Sequence, residues 1–179
     1  MWLRNLLAVI TFCFISGCQS QKPLETVDYV DIQRFMGDWY VIANIPTFLE
    51  KNAYNPIESY TLDTDGSIAT TFSFNADSLK GEKKVYYPRG FVKNTDTNAE
   101  WGMQFIWPIK ADYRIVYLDS DYQYTVIGRN KRDYVWIMAR NPEITEEMLS
   151  KLTQFVASIG YDINQLELAS HKLPLSHSQ

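Results

Sequence analysis

The chain has 179 residues, 46% of them hydrophobic and 15% aromatic, which suits one packed domain better than two. Its net charge of −4, its pI near 5.2 and the lack of any long basic run argue against nucleic-acid binding, since phosphate recognition leaves a basic footprint. Aromatic and β-branched side chains favour pleated, half-buried surfaces, so the composition leans towards β structure.

The first element in chain order is an export signal. Met1 to Asn5 carries one positive charge at Arg4, and Leu6 to Ile15 is almost wholly apolar. That run is too short to span a bilayer comfortably and is flanked as a signal peptide is. It ends in Ile15-Ser16-Gly17-Cys18, which resembles the lipobox of bacterial lipoproteins. The resemblance implies cleavage after residue 17 and acylation of Cys18, a palmitate-type modification in which several acyl chains on one residue anchor stably. An ordinary signal peptide with a chance cysteine is the alternative. Cys13 leaves with the signal, so Cys18 is the one cysteine of the mature chain, which excludes an internal disulfide and a cysteine-based zinc site. Gln19 follows Cys18 where aspartate is absent; by resemblance to the enterobacterial sorting rule, this favours the outer membrane, at its periplasmic face. Residues 18–28 read as a polar tether, 29–170 as the folded domain and 171–179 as a flexible tail.

From Gly37 onward, short β-rich runs alternate with turn chemistry at the spacing of a sandwich or barrel. Strands are expected at residues 37–45, 56–62, 67–74, 84–93, 100–107, 113–118, 124–129 and 134–140. The intervening Asp65-Gly66, residues 95–98, 119–121 and 130–133 tolerate the left-handed backbone of tight reversals. Eight hairpin-linked strands form an all-β, antiparallel up-and-down barrel, whose closure removes both exposed edges. Met148, Leu149, Leu152, Phe155, Val156 and Ile159 then recur at the helical period, with Thr145 as N-cap and Gly160 as stop. This one α-helix is expected to pack outside the barrel. Residues 165–168 offer a short ninth strand.

Three segments carry a family resemblance. Residues 31–40 (Asp-Ile-Gln-Arg-Phe-Met-Gly-Asp-Trp-Tyr) resemble the lipocalin entrance motif. Asp119-Ser120-Asp121-Tyr122-Gln123-Tyr124 resembles the second lipocalin motif, one residue shorter than the vertebrate form and without its threonine. Residues 134–140 resemble the last strand with its terminal arginine, Arg140. The order and spacing match over nearly the whole mature chain. The pattern is most similar to the bacterial outer-membrane lipoprotein lipocalins, a group associated with fatty acids and lysophospholipids. The resemblance implies storage or transport of such a hydrophobic ligand from a membrane anchor. It implies no cofactor, and leaves open a homodimer.

In an antiparallel meander, Trp39 and Arg140 stand at the same barrel end, where a guanidinium over an indole is worth roughly 0.5–2 kcal/mol. Gly37 lets the entering backbone cross that floor closely. Gly37, Trp39 and Arg140 therefore read as structural. The ligand pocket follows from the two-residue alternation of strand side chains. Phe72 and Phe74, then Met103, Phe105 and Trp107, then Tyr113, Ile115 and Tyr117, and last Trp136 and Met138, are expected to face inward around an apolar cavity. Glu58 has inward parity near the rim, where a carboxylate suits a cationic headgroup; bending outward into solvent is the favoured expectation.

The two histidines both lie in the tail, and no metal-ligand spacing, phosphate loop or nucleophile motif occurs. The isomerase member of the family uses a cysteine with no counterpart here. Catalysis is not expected; a filled barrel acting as an interaction lipoprotein, or less readily a lipid-modifying enzyme, are the alternatives.

Overall fold

The computed structural model describes residues 22–171; the signal segment, Cys18 and residues 172–179 lie outside the described residues. A short helix, α1 (Ile32–Phe35), is capped by the Asp31 carboxylate, which accepts from the Gln33 and Arg34 amides and so satisfies donors that have no intrahelical partner. Strand β1 (Gly37–Ile45) follows, then β2 (Ala53–Leu62), β3 (Ile68–Ala76), β4 (Lys83–Tyr86), β5 (Arg89–Val92), β6 (Glu100–Ile106), β7 (Ile109–Leu118), β8 (Tyr124–Gly128) and β9 (Val135–Ala139). Each pairs antiparallel with its neighbour, and β9 returns to pair with β1 through Tyr40–Ala139 and Ile45–Val135. The result is the expected closed eight-stranded barrel, with β4 and β5 sharing one strand position. We call the end where β1 begins the floor and the opposite end the mouth.

Residues 84–93, expected as one strand, are broken at Tyr87-Pro88. Proline has no amide to give the ladder, so β4 and β5 pair separately with β3. The expected connection at residues 108–112 is shorter still: β7 starts at Ile109, and only Trp107-Pro108 turn the chain.

Helix α2 (Glu146–Ser158) is capped by Thr145, whose hydroxyl accepts from the Met148 amide at 3.2 Å. Its Leu152 and Val156 are fully buried against Ile42, Val116, Val126 and Ile137 on the outside of the barrel. A one-turn 3-10 helix (Ile163–Gln165) leads to β10 (Glu167–Leu168), which pairs with the mouth half of β1. The end of the folded segment and the first residue of the expected tail are tied down. Ser170 accepts from the Asn55 amide at 2.7 Å, and His171 Nε2 lies 2.7 Å from the Val41 carbonyl oxygen. The ring of His171 also meets Tyr40 edge-on.

Two apolar layers result. One fills the barrel's lower interior, and the other seals α2 to its outer wall.

Candidate binding cavity

The floor is where the three motifs meet. Arg140 Nη1 donates to the Asp38 carbonyl at 2.7 Å, and Nη2 donates to those of Arg34 and Met36 at 2.9 and 2.8 Å. Its Nε reaches the Tyr122 carbonyl at 3.3 Å, while the guanidinium carbon lies 3.8 Å from the Trp39 ring centroid. A side chain with five N–H donors in a fixed fork thus ties α1, the β7–β8 turn and the end of β9 together. Asp119 builds that turn by accepting from the Asp121 and Gln123 amides. The hydroxyl of Tyr122 accepts from the Asp31 amide at 2.8 Å. Gly37 sits at φ +94, and a Cβ there would stand 3.4 Å from Arg140 Nη1.

Above the floor the lower part of the barrel is packed solid. Phe35, Trp39, Tyr60, Trp101, Ile115 and Met138 are all fully buried. Trp101 stacks on Tyr113 with ring planes 9° apart, and Trp101 meets Phe35 edge-on.

Over this packing lies a cavity of about 270 Å³ that opens at the mouth. Phe72 (β3), Met103 and Phe105 (β6), Tyr113 (β7) and Trp136 (β9) line it, with Phe48 and Leu49 from the β1–β2 loop. The other residues expected inside stand elsewhere. Ile115 and Met138 point inward but below the cavity, in the packed floor layer. Phe74 is buried behind Phe72, both rings stacking on Tyr86. Trp107 is 82% exposed, on the hairpin tip beyond the rim. The β6–β7 register shifts between Met103 and Ile106, so strict alternation from Trp101 fails there.

Tyr117 departs furthest from its expected inward position. It lies in the outer layer, where its ring packs on Phe155 of α2 at 5.4 Å. The β7–β8 register slips between Ile115 and Tyr117, and one extra residue turns every later side chain to the opposite face.

The polar groups of the cavity are few. Glu58 faces inward after all, not into solvent. It borders the cavity and accepts from the Tyr60 hydroxyl, which lies 2.8 Å from the Tyr113 hydroxyl. Burial pushes the Glu58 carboxyl up to about 7; the Tyr60 hydrogen bond opposes this, and the nearby Glu50 charge adds to it. Burial and the Glu58 charge likewise hold the Tyr60 and Tyr113 hydroxyls well above the usual phenol range.

Glu50, a buried residue of the rim loop, accepts from Trp136 Nε1 at 2.7 Å and from the Thr47 amide at 2.8 Å. Arg129, at the mouth end of β8, lies 3.3 Å from Asp133 through Nη1 and 5.2 Å over the Tyr134 ring. Its Nε is the only buried side-chain nitrogen or oxygen without a hydrogen-bond partner among the described residues. Neither Glu50 nor Arg129 was expected at the site: Glu50 lies on a loop, which follows no period, and Arg129 stood as the last residue of an expected strand. The one hint in the sequence was Trp136, since a buried indole N–H seeks an acceptor. Among the described residues, no group of three His, Cys, Asp or Glu could hold a metal ion.

An apolar cup with a closed floor, aromatic walls and a few charged groups can enclose the hydrocarbon part of an amphiphile and bond its polar end. A lipocalin-like domain model matches residues 30–171. The chain belongs to the lipocalin family. This lipocalin is 32% identical to temperature-induced lipocalin-1 of Arabidopsis thaliana, over 87% of this chain and 85% of that one. It is 28% identical to the outer membrane lipoprotein Blc of Citrobacter freundii, over 93% of this chain and 96% of that protein. With the Blc of Escherichia coli K12 the identity is 26%, over 92% and 95%. Among solved structures, insecticyanin from the tobacco hornworm Manduca sexta superposes with a TM-score of 0.65 at 14% identity, over 87% of each chain; that likeness speaks for the fold alone. Lipocalins bind hydrophobic small molecules, and this one is a binding protein rather than an enzyme.

Proposed function

We propose that this lipocalin carries a single-chain amphiphile, a fatty acid or a lysophospholipid, while held at the bacterial outer membrane by a lipid on Cys18. Arg129 carries the reading: a guanidinium with an unpartnered buried N–H, beside a largely apolar cup. A buried donor without an acceptor costs roughly 1–3 kcal/mol, and an anionic headgroup at the mouth removes that cost. The solid floor limits the ligand to the upper part of the barrel, so its polar end stays near the rim.

Within this class the charges favour the lysophospholipid. Arg129 suits its phosphate, and the carboxyl groups of Glu50 and Glu58 suit an ammonium, which a fatty acid lacks. The relatives named outer membrane lipoproteins support the location, together with the lipobox at residues 15–18.

Displacement of a fluorescent fatty acid tests the proposal. Lysophosphatidylethanolamine is expected to compete more tightly than palmitate at neutral pH. Arg129→Gln is expected to weaken either by roughly tenfold, the loss of one charge-assisted hydrogen bond of about 1.5 kcal/mol. No saturable uptake of any single-chain lipid would instead identify a barrel without a carrier role.

A further inference from the structure

The mouth exposes a cluster of large apolar side chains. Ile106, Trp107 and Ile109 on the β6–β7 hairpin are 71%, 82% and 68% exposed, and Phe48 across the cavity is 78% exposed. Soluble surfaces seldom leave such a cluster uncovered, and clusters of this kind mark interaction sites.

Charge divides along the barrel axis in the same sense. Exposed Lys51, Lys80, Lys83 and Lys131 stand on mouth-side turns and strand ends, and none is in an ion pair among the described residues, whereas the acids Glu82 and Asp133 at that end are paired with Lys84 and Arg129. The floor-side turns carry Asp63, Asp65, Asp96, Asp119 and Asp121 in a chain of net charge −4.

The N-terminal segment approaches from the mouth as well. Leu24 donates from its amide to Asn130 Oδ1 in the β8–β9 turn at 2.8 Å, and only at Val30 does the chain reach the floor, donating to the Thr97 carbonyl at 2.8 Å. The four residue steps from Cys18 to Lys22 can span at most about 14 Å.

We propose that this lysine-flanked apolar rim docks on an anionic bilayer, seating Ile106, Trp107, Ile109 and Phe48 at headgroup depth so that the cavity opens directly onto the leaflet. Tryptophan is favoured at that depth, and lysines near an anionic surface add attraction that salt screens. The orientation rests on the reading of Cys18 as the lipid anchor. The rim surface itself does not depend on what the cavity binds.

The test uses the full lipidated protein in vesicles of phosphatidylethanolamine and phosphatidylglycerol with brominated acyl chains. Tryptophan fluorescence is expected to be quenched, and Trp107→Phe is expected to remove most of the quenching, since Trp39 and Trp101 are fully buried and Trp136 is held in the cavity wall, below the rim, by its bond to Glu50. Equal quenching in Trp107→Phe would overturn the proposal. So would no quenching at all, and a dimeric mass alongside it would assign the rim to a second copy.

The double variant Trp107→Asp, Lys131→Glu, at residues outside the cavity lining, is expected to slow transfer of a fluorescent lysophospholipid to vesicles at least tenfold, with its Kd in vesicle-free solution unchanged. An unchanged transfer rate would count against docking. If the lysophospholipid does not bind at all, the carrier reading falls, while bromine quenching still decides the docking question.

Discussion

Glu58 sets stability against function at one side chain. Its carboxyl titrates near 7 in the folded chain, against an ordinary value of 4.5. The unfolded chain therefore releases this proton first as pH rises, and stability falls between pH 4.5 and 7. Above that window the full cost applies, on the order of 3 kcal/mol for a shift of this size. Glu58→Gln keeps an acceptor for the Tyr60 hydroxyl without the charge. It is expected to raise unfolding stability by about 2 kcal/mol at pH 8, to change it little at pH 4, and to flatten the slope between. Denaturant unfolding at the two pH values measures both. A variant less stable than the parent at pH 8 would show that the carboxylate is solvated through the cavity. Such a buried acid is hard to justify as packing, and a ligand group able to bond it would explain its place. Trp136 ties the same wall to Glu50; Trp136→Ala is expected to weaken ligand binding in the displacement titration while unfolding stays cooperative, and unchanged affinity would remove it from the site.

At the scale of elements, Tyr117 separates what a sequence period can say from what it cannot. Alternation places it beside Tyr113 and Ile115, but the slip at Val116 puts it under α2. Tyr117→Ala is therefore expected to leave lipid affinity unchanged and to cost roughly 1–3 kcal/mol by loosening the helix. A loss of affinity without a loss of stability would return Tyr117 to the pocket. The bounds of β1 and the cap of α2 were legible because uninterrupted periodicity and local side-chain chemistry define them. Bulges leave no composition signature, so the faces of Tyr117 and Trp107 were misjudged while their strands were found. The break at Pro88 did have its signal, a proline in a run otherwise fit for a strand, outweighed by the apolar residues around it. Among the cavity residues, those on strands could be read from parity, whereas Glu50 and Arg129 came from loop and strand end, where position depends on closure of the whole barrel.

For the molecule as a whole, the decisive feature is that the barrel is packed below and open above. The motif residues at the floor are joined largely by side chain to backbone bonds and one guanidinium, which resist small changes in neighbouring side chains. The two halves should answer differently to a change of volume. Met138 is fully buried in the floor layer, and Met138→Ala is expected to cost about 2–5 kcal/mol, because surrounding rings cannot collapse into the space. Ala111 borders the open cavity. Ala111→Phe adds apolar volume where there is room, so it is expected to hold or raise Tm while sharply reducing capacity for a single-chain lipid. Thermal unfolding and the fluorescent displacement titration, run on both variants, separate the halves. If Ala111→Phe binds lipid as well as the parent, the ligand does not occupy the upper barrel. Its site would then have to be sought on the outer wall or at the exposed rim.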